Sequence, residues 1–489
     1  MNLRSSRAGL CAAAVAAVVV LVLGLGSAAP ESASAASLGS LQTALQESGF
    51  QTARNRERQI ALDHAVRAGT SWIKVDIEWN DVAPNDATRP RGLVATAPGD
   101  PHYDWFHTDA LILDATARGL RPYFSIHGTP RWAERPAGGP RGTNNPSPQD
   151  VADFFAAVAL RYGGTYEGLP RVSAFEVWNE VNTSFFFMPQ KGADGRPVSP
   201  DLYRSIVNAV STAVHAVHPD NLVIAGGLFS SGTAQGIAPL RFMRQFLCMR
   251  RDLVPRRDCG PPVAFDVWSH HPYTDGSPTH RTGNPDDVPI SGLQRMSDLL
   301  SAAVGQGRIQ SYAPLQFWVT EWGWDSNPPD PHGVPEPLRA RWVSEALYRM
   351  WYAGVTVATW FFLRDGAGPD ARFDSGLYTR CSAGVSCDRP KLALQAFRFP
   401  FVALRQGRDV RVWGRTPPSS TTTTVVLERF RHARWRRVGS VKVNRFGLFM
   451  RLLPQAKGGR YRARIPGGEA SLGFSLKVPP DFPVSPAVG

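Results

Sequence analysis

Eight short apolar runs alternate with amphipathic stretches, and this alternation constrains the fold more than any other feature of the sequence. The runs are residues 38–45, 72–77, 122–127, 172–178, 222–227, 264–269, 316–320 and 356–362. Helical patterns between them include residues 58–68, 150–162, 200–217 and 338–352. Strands that alternate with helices pair in parallel through crossover helices. The sequence therefore predicts an α/β fold built on a parallel sheet.

Helix starts and connection lengths indicate how that sheet is closed. Ser147-Pro148 and Ser199-Pro200 each read as an N-cap followed by proline in the first turn. The links that follow helices are short, whereas those that follow strands are long and rich in Pro, Gly, Trp and His. Elaborate loops at the carboxyl ends of eight strands are typical of a TIM (β/α)8 barrel with its active site on that face. A doubly wound sheet is the alternative, but no glycine-rich phosphate loop follows the first strand.

The first 36 residues predict a secretory signal peptide. Arg4 and Arg7 precede an uncharged run at residues 8–26, and the small residues 33–36 provide a cleavage site. A membrane anchor is the alternative reading, because a span needs about 20 apolar residues. No later segment is apolar enough to cross a bilayer. We therefore expect a secreted, extracellular protein.

Four cysteines follow the signal segment, in two pairs that are close in the sequence. An even number of cysteines in an exported chain favours disulfides. Three pairings are possible, and short loop closures favour Cys248 with Cys259 and Cys381 with Cys387. A zinc site is the alternative, but neither pair has the usual ligand spacing.

Two glutamates follow predicted strands on the loop-rich face. Glu180 comes directly after the fourth run, in the sequence Trp-Asn-Glu, and Glu321 ends the seventh run. Because parallel strands share one edge, both carboxylates should reach the same rim. Two carboxylates across a cleft match glycoside hydrolysis, which needs one protonated and one ionised group. Asn179 offers an amide to a sugar hydroxyl, and Trp360 near the end of the eighth run offers a flat surface.

These motifs carry a family resemblance. Residues 178–180 (Trp-Asn-Glu), 271–273 (His-Pro-Tyr) and 320–323 (Thr-Glu-Trp-Gly) resemble those of clan A glycoside hydrolases, the retaining (β/α)8 enzymes. Within the clan, residues 38–404 look most like family 39 or the cellulase-type family 5. The resemblance implies Glu180 as acid/base and Glu321 as nucleophile. It further implies that Asn179 binds the 2-hydroxyl, Tyr273 bonds the nucleophile and Trp360 lies under the reacting sugar.

The sequence departs from the clan on its second strand, where an arginine is usual and Lys74 stands instead. Lysine keeps the positive charge that would hold Glu321 ionised, but it lacks the two-pronged donor of arginine. Alternation places Lys74, Asp76 and Glu78 on one face, so a local pair with Asp76 is the alternative.

Several further residues are candidates for substrate contact. His127, Trp132 and His271 fall at the same rim, where the histidines suit sugar hydrogen bonding. A metal cluster of His270, His271 and Asp266 is the alternative, but no familiar zinc spacing occurs. Residues 185–187 (Phe-Phe-Phe) form either a cleft wall or a loop packed on the barrel. We expect no metal and no cofactor.

The function predicted from these residues is a secreted glycosidase that hydrolyses a β-linked oligosaccharide, polysaccharide or glycoside by double displacement. A secreted wall-binding or carbohydrate-binding protein, its barrel catalytically weakened at Lys74, is the alternative. Intact Glu180, Asn179 and Glu321 favour the enzyme.

Residues 405–489 have a different sequence pattern, with short strand candidates separated by Pro, Gly, Ser and Arg clusters. This pattern predicts a small all-β sandwich-like domain after a catalytic domain at residues 37–404. The domain either binds carbohydrate or supports the barrel. Residues 398–478 hold 18 Lys and Arg against three acids, a net charge of +15, so the rest of the chain nets −2 and is close to neutral. We expect any anionic partner, such as cell wall or an acidic glycan, on this domain, and neither nucleic acid nor membrane as a partner.

Overall fold

The chain folds into a closed barrel of eight parallel strands. This computed structural model describes residues 38–484 apart from 48, 53, 137–141, 368–372, 419 and 481. The barrel strands are β1 Gln42–Gln46, β2 Trp72–Glu78, β3 Arg121–His127, β4 Ala174–Val177, β5 Leu222–Phe229, β6 Val267–His271, β7 Gln316–Trp322 and β8 Val355–Phe361. Each strand pairs with the next along the chain, and β8 closes on β1. The eight predicted strands and the (β/α)8 barrel are confirmed.

Helices surround the barrel. They are α1 Asn55–Arg67, α2 Phe106–Thr116, α3 Pro148–Arg161, α4 Ser199–Val217, α5 Pro239–Phe246, α6 Leu293–Gly305, α7 Glu336–Tyr352 and α8 Leu392–Arg398. Shorter helical segments are Gly49–Thr52, Trp79–Val82, Arg131–Ala133, Ile290–Gly292 and Val385–Cys387. Paired two-residue strands are Val263–Ala264 with Ile309–Gln310, Ser326–Asn327 with Val334–Pro335, and Tyr378–Thr379 with Arg389–Pro390.

The two predicted N-caps differ in outcome. Ser147 caps α3, because its Oγ accepts a hydrogen bond from the backbone N–H of Asp150 at 3.4 Å. The same prediction for Ser199 is wrong, since α4 begins at Ser199 itself. The Ser199 hydroxyl donates instead to Gln190 Oε1 (3.0 Å), so a tertiary contact takes the atom that would have capped the helix.

The barrel interior is filled below its carboxyl end by an apolar layer to which every strand contributes. Its buried members are Ala44, Trp72, Tyr123, Ala174, Ile224, Val267, Trp318 and Val357. Trp318 packs against Trp72 and Tyr123, with ring centroids 5.3 and 5.6 Å apart. Such layers of alternating side chains make the barrel a packed core rather than a pore. This layer is the floor on which the polar site rests.

The C-terminal part folds into two antiparallel sheets, as predicted. One sheet contains β9 Phe401–Gln406, β10 Asp409–Arg415 and β13 Leu448–Leu453, and the other β11 Thr424–Arg431, β12 Arg434–Lys442, β14 Arg460–Arg464 and β15 Phe474–Ser475. We call residues 401–484 the β-module. The boundary expected at residue 405 falls inside β9, which pairs along its length with β10.

The β-module shares one hydrophobic core with the barrel. Fully buried Trp413 packs against Tyr348 and Trp351 of α7, at centroid distances of 5.6 and 5.5 Å. The buried guanidinium of Arg415 donates to Leu41 O and to Thr43 Oγ1, both at 3.2 Å. Burial lowers the pKa of Arg415 to about 10. The β-module therefore supports the barrel where its first strand begins.

Both predicted disulfides are confirmed. Cys248 is bonded to Cys259, and Cys381 to Cys387. The expected signal peptide at residues 1–36 lies outside the described residues. Within the part of the chain that the structure describes, no helix has both the length and the apolar character to span a membrane.

Trp413→Ala should destabilise the barrel together with the β-module, because the two share a core. We expect an unfolding free energy lower by about 3–5 kcal/mol, as for other buried tryptophans. Differential scanning calorimetry should show one transition in both proteins, at a lower temperature in the variant. Phe446→Ala, which removes a 40% exposed ring of the β-module, is the control. An unchanged barrel transition in Trp413→Ala would contradict the shared core.

Candidate active site

A cavity of about 640 Å³ opens at the carboxyl ends of the barrel strands. That volume lies in the range of about 300–1,000 Å³ typical of small-molecule sites. Its lining residues are Gln46, Asp76, Glu78, His127, Asn179, Glu180, Thr183, Ser184, Phe185, Phe186, Phe229, Thr233, Ala234, Gln235, Tyr273, Glu321, Phe361 and Phe373. The two glutamates predicted from strand ends therefore share one cavity.

A β-bulge aims Glu321 into this cavity. Between β7 and β8, Val319 pairs with Ala358 and Trp322 with Trp360, so β7 holds one residue more than its partner. The extra residue reverses the alternation of the strand. Consequently Trp318 fills the barrel interior while Trp322 packs outward on Trp360, at a centroid distance of 4.6 Å.

Glu321 is held as a carboxylate by a cation and a hydroxyl. Lys74 Nζ lies 2.6 Å from Glu321 Oε1, and the Tyr273 hydroxyl donates to Glu321 Oε2 at 3.0 Å. Burial alone would raise the pKa of Glu321, but His271, Lys74 and Tyr273 together lower it below its ordinary value. The bond from Tyr273 is the one that the family resemblance implied.

Lys74 is fully buried among three carboxylates. Its ammonium lies 2.6 Å from Glu321 and 3.8 Å from both Asp76 and Glu176. Burial favours the neutral amine, yet these carboxylates raise the pKa of Lys74 above its ordinary value. The two pairings considered for Lys74 thus coexist, with Glu321 as the nearer partner. Glu176, which the sequence reasoning missed, also accepts a bond from Ser269 Oγ (2.8 Å).

Glu180 is positioned by an unusual backbone turn. The chain leaves β4 with positive φ at Trp178 (74°) and Glu180 (41°), values that residues other than glycine rarely adopt. The Glu180 N–H donates to Gly227 O (2.9 Å). Gly227 follows Gly226 in a bulge of β5, where a Cβ on Gly226 would come within 2.3 Å of Ser269 O. Neighbouring strands therefore hold Glu180 in place.

The surroundings of Glu180 and Glu321 shift the pKa values of the two carboxyl groups in opposite directions. Burial raises the pKa of Glu180 above its ordinary value, against the opposing effect of the hydrogen bond from His271. His271 Nδ1 lies within hydrogen-bond distance of Glu180 Oε1, at 3.0 Å, and 3.6 Å from Glu321 Oε2. Carboxylate oxygens of the two glutamates lie within 4.8 Å of each other. A carboxyl group with a raised pKa and one with a lowered pKa therefore face a common point.

Three lining side chains keep a buried polar atom without a hydrogen-bond partner among the described residues. They are Gln46 through Oε1, His127 through Nδ1 and Asn179 through Oδ1. An unpaired buried polar atom costs about 1–3 kcal/mol. Burial lowers the pKa of His127, so its ring is neutral near pH 7. These atoms suit the hydroxyl groups of a polar ligand.

The structure corrects three expected substrate contacts. Trp360 is fully buried on the outer face of β8, where its Nε1 donates to Ser375 O at 3.0 Å. Thr359 faces the barrel interior, where it bonds Tyr123. Because side chains alternate along β8, Phe361 faces the same side and lines the cavity instead of Trp360. Trp132 is 8% exposed and bonds Pro84 O at 3.0 Å, away from the lining.

His271 is the third correction. It is fully buried, with Nδ1 on Glu180 and Nε2 3.2 Å from the Thr320 hydroxyl, so both ring nitrogens face protein groups. Burial alone would lower the pKa of His271, but Glu321 and Glu180 raise it above its ordinary value. His271 therefore orients the carboxylates rather than a sugar.

Residues 185–187 were expected to form either a cleft wall or a loop packed on the barrel, and each expectation is correct for some of them. Phe185 and Phe186 line the cavity, whereas Phe187 is fully buried against Trp178 at a centroid distance of 5.7 Å. The lining also contains Phe229 and Phe373, which no motif indicated.

Glu180, His271 and Glu321 could together offer three ligand atoms to a metal ion, since these atoms lie within 4.8 Å of one another. One of the three, Glu321, already has a cation beside it, because Lys74 Nζ lies 2.6 Å from its Oε1. The other cluster considered is dispersed: His270 bonds Val288 O at 2.7 Å, and Asp266 pairs with His215 at 3.0 Å.

Comparisons with known proteins support the fold. No family model matches the chain, and neither does any curated protein sequence. A family 39 glycoside hydrolase from Bacteroides cellulosilyticus is similar in structure, with a TM-score of 0.51 and 16% identity over 86% of this chain and 80% of that chain. A monomeric beta-xylosidase from Caulobacter crescentus gives 0.48 and 16% over 85% and 94%. At this low identity the similarity to the family 39 structure shows the barrel fold that the resemblance implied.

Lys74→Met should destabilise the protein most at neutral pH, because three carboxylates would lose their buried cation. We expect a loss of about 3–5 kcal/mol in unfolding free energy at pH 7. Without the ammonium the pKa of Glu321 rises, so the deficit should shrink as pH falls through that raised pKa. Urea denaturation at pH 7 and pH 5 measures both values.

The control for this prediction is the double variant Lys74→Met with Glu321→Gln. It removes one charge of each sign and should cost less than Lys74→Met alone at pH 7. Equal losses at both pH values and in both backgrounds would mean that Lys74 contributes through packing rather than charge.

Proposed function

We propose that this chain is a secreted retaining glycoside hydrolase that cleaves β-linked O-glycosides of neutral sugars. The observation that carries the proposal is the pairing of Glu180 and Glu321, whose oxygens lie within 4.8 Å of each other in one cavity. Retaining glycosidases have carboxyl groups about 5–5.5 Å apart, whereas inverting enzymes need about 6.5–9.5 Å to admit a water. The observed separation favours retention.

In the first step, a Glu321 oxygen attacks the anomeric carbon while Glu180 gives its proton to the departing glycosidic oxygen. The carbon–oxygen bond to the leaving group breaks as the bond to Glu321 forms. Lys74 and Tyr273 support this step because they keep Glu321 ionised in a buried place. Glu180 supplies the proton, because its raised pKa favours the protonated form.

In the second step, water replaces the leaving group beside Glu180, which is now a carboxylate. Glu180 removes a proton from the water, whose oxygen attacks the anomeric carbon and frees Glu321. Two inversions at one carbon give retention, and Glu180 ends the cycle protonated. His271 contacts Glu180 throughout and stabilises the charge that it carries between the two steps.

Charge in the cavity favours a neutral sugar. The lining contains four acids, namely Asp76, Glu78, Glu180 and Glu321, and no lysine or arginine among the described lining residues. Lys74 lies beneath the lining, where its single positive charge faces Asp76 and Glu321 of the lining and the buried Glu176. A uronic acid would add a further negative charge to this group. Asn179, His127 and Gln46 are proposed to bind the sugar hydroxyls through their unpaired atoms.

Export is part of the proposal. Disulfides persist in oxidising compartments, and this chain has two. The charged and apolar pattern of residues 1–36 points in the same direction.

The β-module is proposed to contact an anionic polysaccharide, such as acidic cell wall or glycan, through one sheet face. Residues on this arginine face are Glu428, Phe430, Trp435, Arg437, Arg460, Arg462 and Arg464. Arg462 stacks on Trp435 at 4.3 Å, and Arg460 on Phe430 at 4.6 Å. Four cations against one acid, on flat aromatic surfaces, suit a polymer with carboxylate or sulfate groups.

Glu321→Gln should abolish turnover of aryl β-glycosides, with a loss of more than about 10⁴-fold because no nucleophile remains. A panel of aryl β-glucosides, β-xylosides, β-mannosides and β-galactosides provides the assay. A 2-fluoro sugar of the preferred type should label wild-type Glu321 covalently, as mass spectrometry of peptides would detect. Thr356→Ser, a change in β8 away from the cavity, is the control.

Full activity of Glu321→Gln, or labelling of another residue, would contradict the nucleophile assignment. If no sugar is hydrolysed or labelled while the protein binds polysaccharide, the alternative function of a carbohydrate-binding protein replaces the enzyme.

The double variant Arg437→Ser/Arg460→Ser should bind polygalacturonate more weakly than wild type. Each lost surface contact is expected to weaken binding roughly two- to fivefold at low salt, and the difference should vanish at high salt. Affinity electrophoresis at graded salt concentrations measures it. Arg91→Ser/Arg196→Ser, which removes two exposed charges from barrel loops, is the matched control. Equal losses in the two double variants would show that net charge, not the arginine face, attracts the polymer.

A further inference from the structure

The cavity has two chemically distinct parts. Its polar part is formed by carboxylates, amides and His127 around Glu180 and Glu321. Its apolar part contains five phenylalanines that end or follow three of the strands, namely Phe185, Phe186, Phe229, Phe361 and Phe373. This second part has no function in the two chemical steps.

The phenylalanines form two facing walls. Phe185 and Phe186 follow β4, and their ring centroids lie 4.8 Å apart. Phe361 ends β8 and packs on Phe373, at 5.1 Å. Strands β4 and β8 are diametrically opposite in the closed ring of eight. The mouth of the cavity is therefore bounded by aromatic rings on two sides.

These walls offer few hydrogen bonds. Phenylalanine carries no polar group, unlike tyrosine or tryptophan. The nearest hydroxyls in the loop after β4 already have partners: Thr183 donates to Glu180 O at 3.0 Å, and Ser184 to Gln235 Oε1 at 3.2 Å. A second sugar between the walls would gain no hydrogen bonds from the phenylalanine rings and would lose part of its hydration. An apolar group there would incur no such cost.

The wall after β4 borders the leaving group. Glu180 protonates the departing oxygen in the proposed mechanism, and Phe185 follows it by five residues on the same loop. The Phe185 ring is 40% exposed, an apolar surface in contact with solvent. We infer that the mouth binds an apolar leaving group, so that the substrate is a β-glycoside of a hydrophobic alcohol or phenol rather than a polysaccharide. This inference deepens the proposed function and rests on its assignment of Glu180.

The test measures binding separately from turnover. Methyl, n-butyl, n-hexyl and n-octyl β-glycosides of glucose, xylose, mannose and galactose are titrated calorimetrically into Glu321→Gln, below their micellar concentrations. For one sugar at least, the Kd should fall roughly fourfold for each methylene that becomes buried. Phe185→Ser in the same background should at least halve this increment. Phe446→Ser, which alters an equally exposed ring of the β-module, should leave it unchanged.

Equal affinities for methyl and octyl glycosides would overturn the inference. So would absence of binding by every glycoside, equal effects of Phe185→Ser and Phe446→Ser, or affinity that grows with added sugar units of cello- or xylo-oligosaccharides instead. Wild-type hydrolysis decides the proposed function independently. If affinity depends on alkyl chain length but no glycoside is hydrolysed, the apolar site is supported and the proposed enzyme activity is wrong. If glycosides are hydrolysed but affinity does not depend on chain length, the enzyme activity is supported and the apolar site is wrong.

Discussion

The buried ammonium of Lys74 is the interaction on which the site depends. The centre of the barrel contains Glu321, Glu176 and Asp76 within 4 Å of this one cation. Isolated carboxylates at such depth would take up protons rather than remain charged. Against the effect of burial, His271 and Lys74 lower the pKa of Glu321, whereas burial and the negative charge of Glu321 raise the pKa of Glu180. The difference between the two glutamates therefore begins with residues that do not line the cavity.

Two local irregularities convert a regular barrel into this site. The bulge in β7 turns Glu321 inward, and the Gly226-Gly227 bulge in β5 provides the carbonyl that accepts a hydrogen bond from Glu180. Each depends on a neighbour that leaves room or offers a bond. The strained backbone at Glu180 persists because the surrounding strands over-determine it, as is common at functional sites. The regular strands of the barrel stabilise the fold enough to tolerate the two bulges and the strained backbone at Glu180.

The sequence predicted the regular features of the barrel, and the irregular features are the ones that it did not predict. The strand and helix periods gave the eight strands, and strand ends placed Glu180 and Glu321 together because parallel strands share an edge. The contact of Tyr273 with Glu321 came from the family resemblance instead. Alternation placed Lys74 correctly, since β2 pairs with β3 without a register shift. The expectation for Trp360 was wrong although the alternation of β8 contained the signal, in the inward Thr359. The bulges, the Ser199 contact and the positions of Phe229 and Phe373 depend on distant residues, which no local pattern records.

The hydrogen bonds from Arg415 to Leu41 O and Thr43 Oγ1 join residues that are synthesised at very different times. The first barrel strand is made early in synthesis, yet its buried donor lies more than 370 residues later in the chain. Until that arginine emerges, Leu41 O and Thr43 Oγ1 lack this buried donor. The first strand thus gains this buried polar contact only when nearly the whole polypeptide has been made.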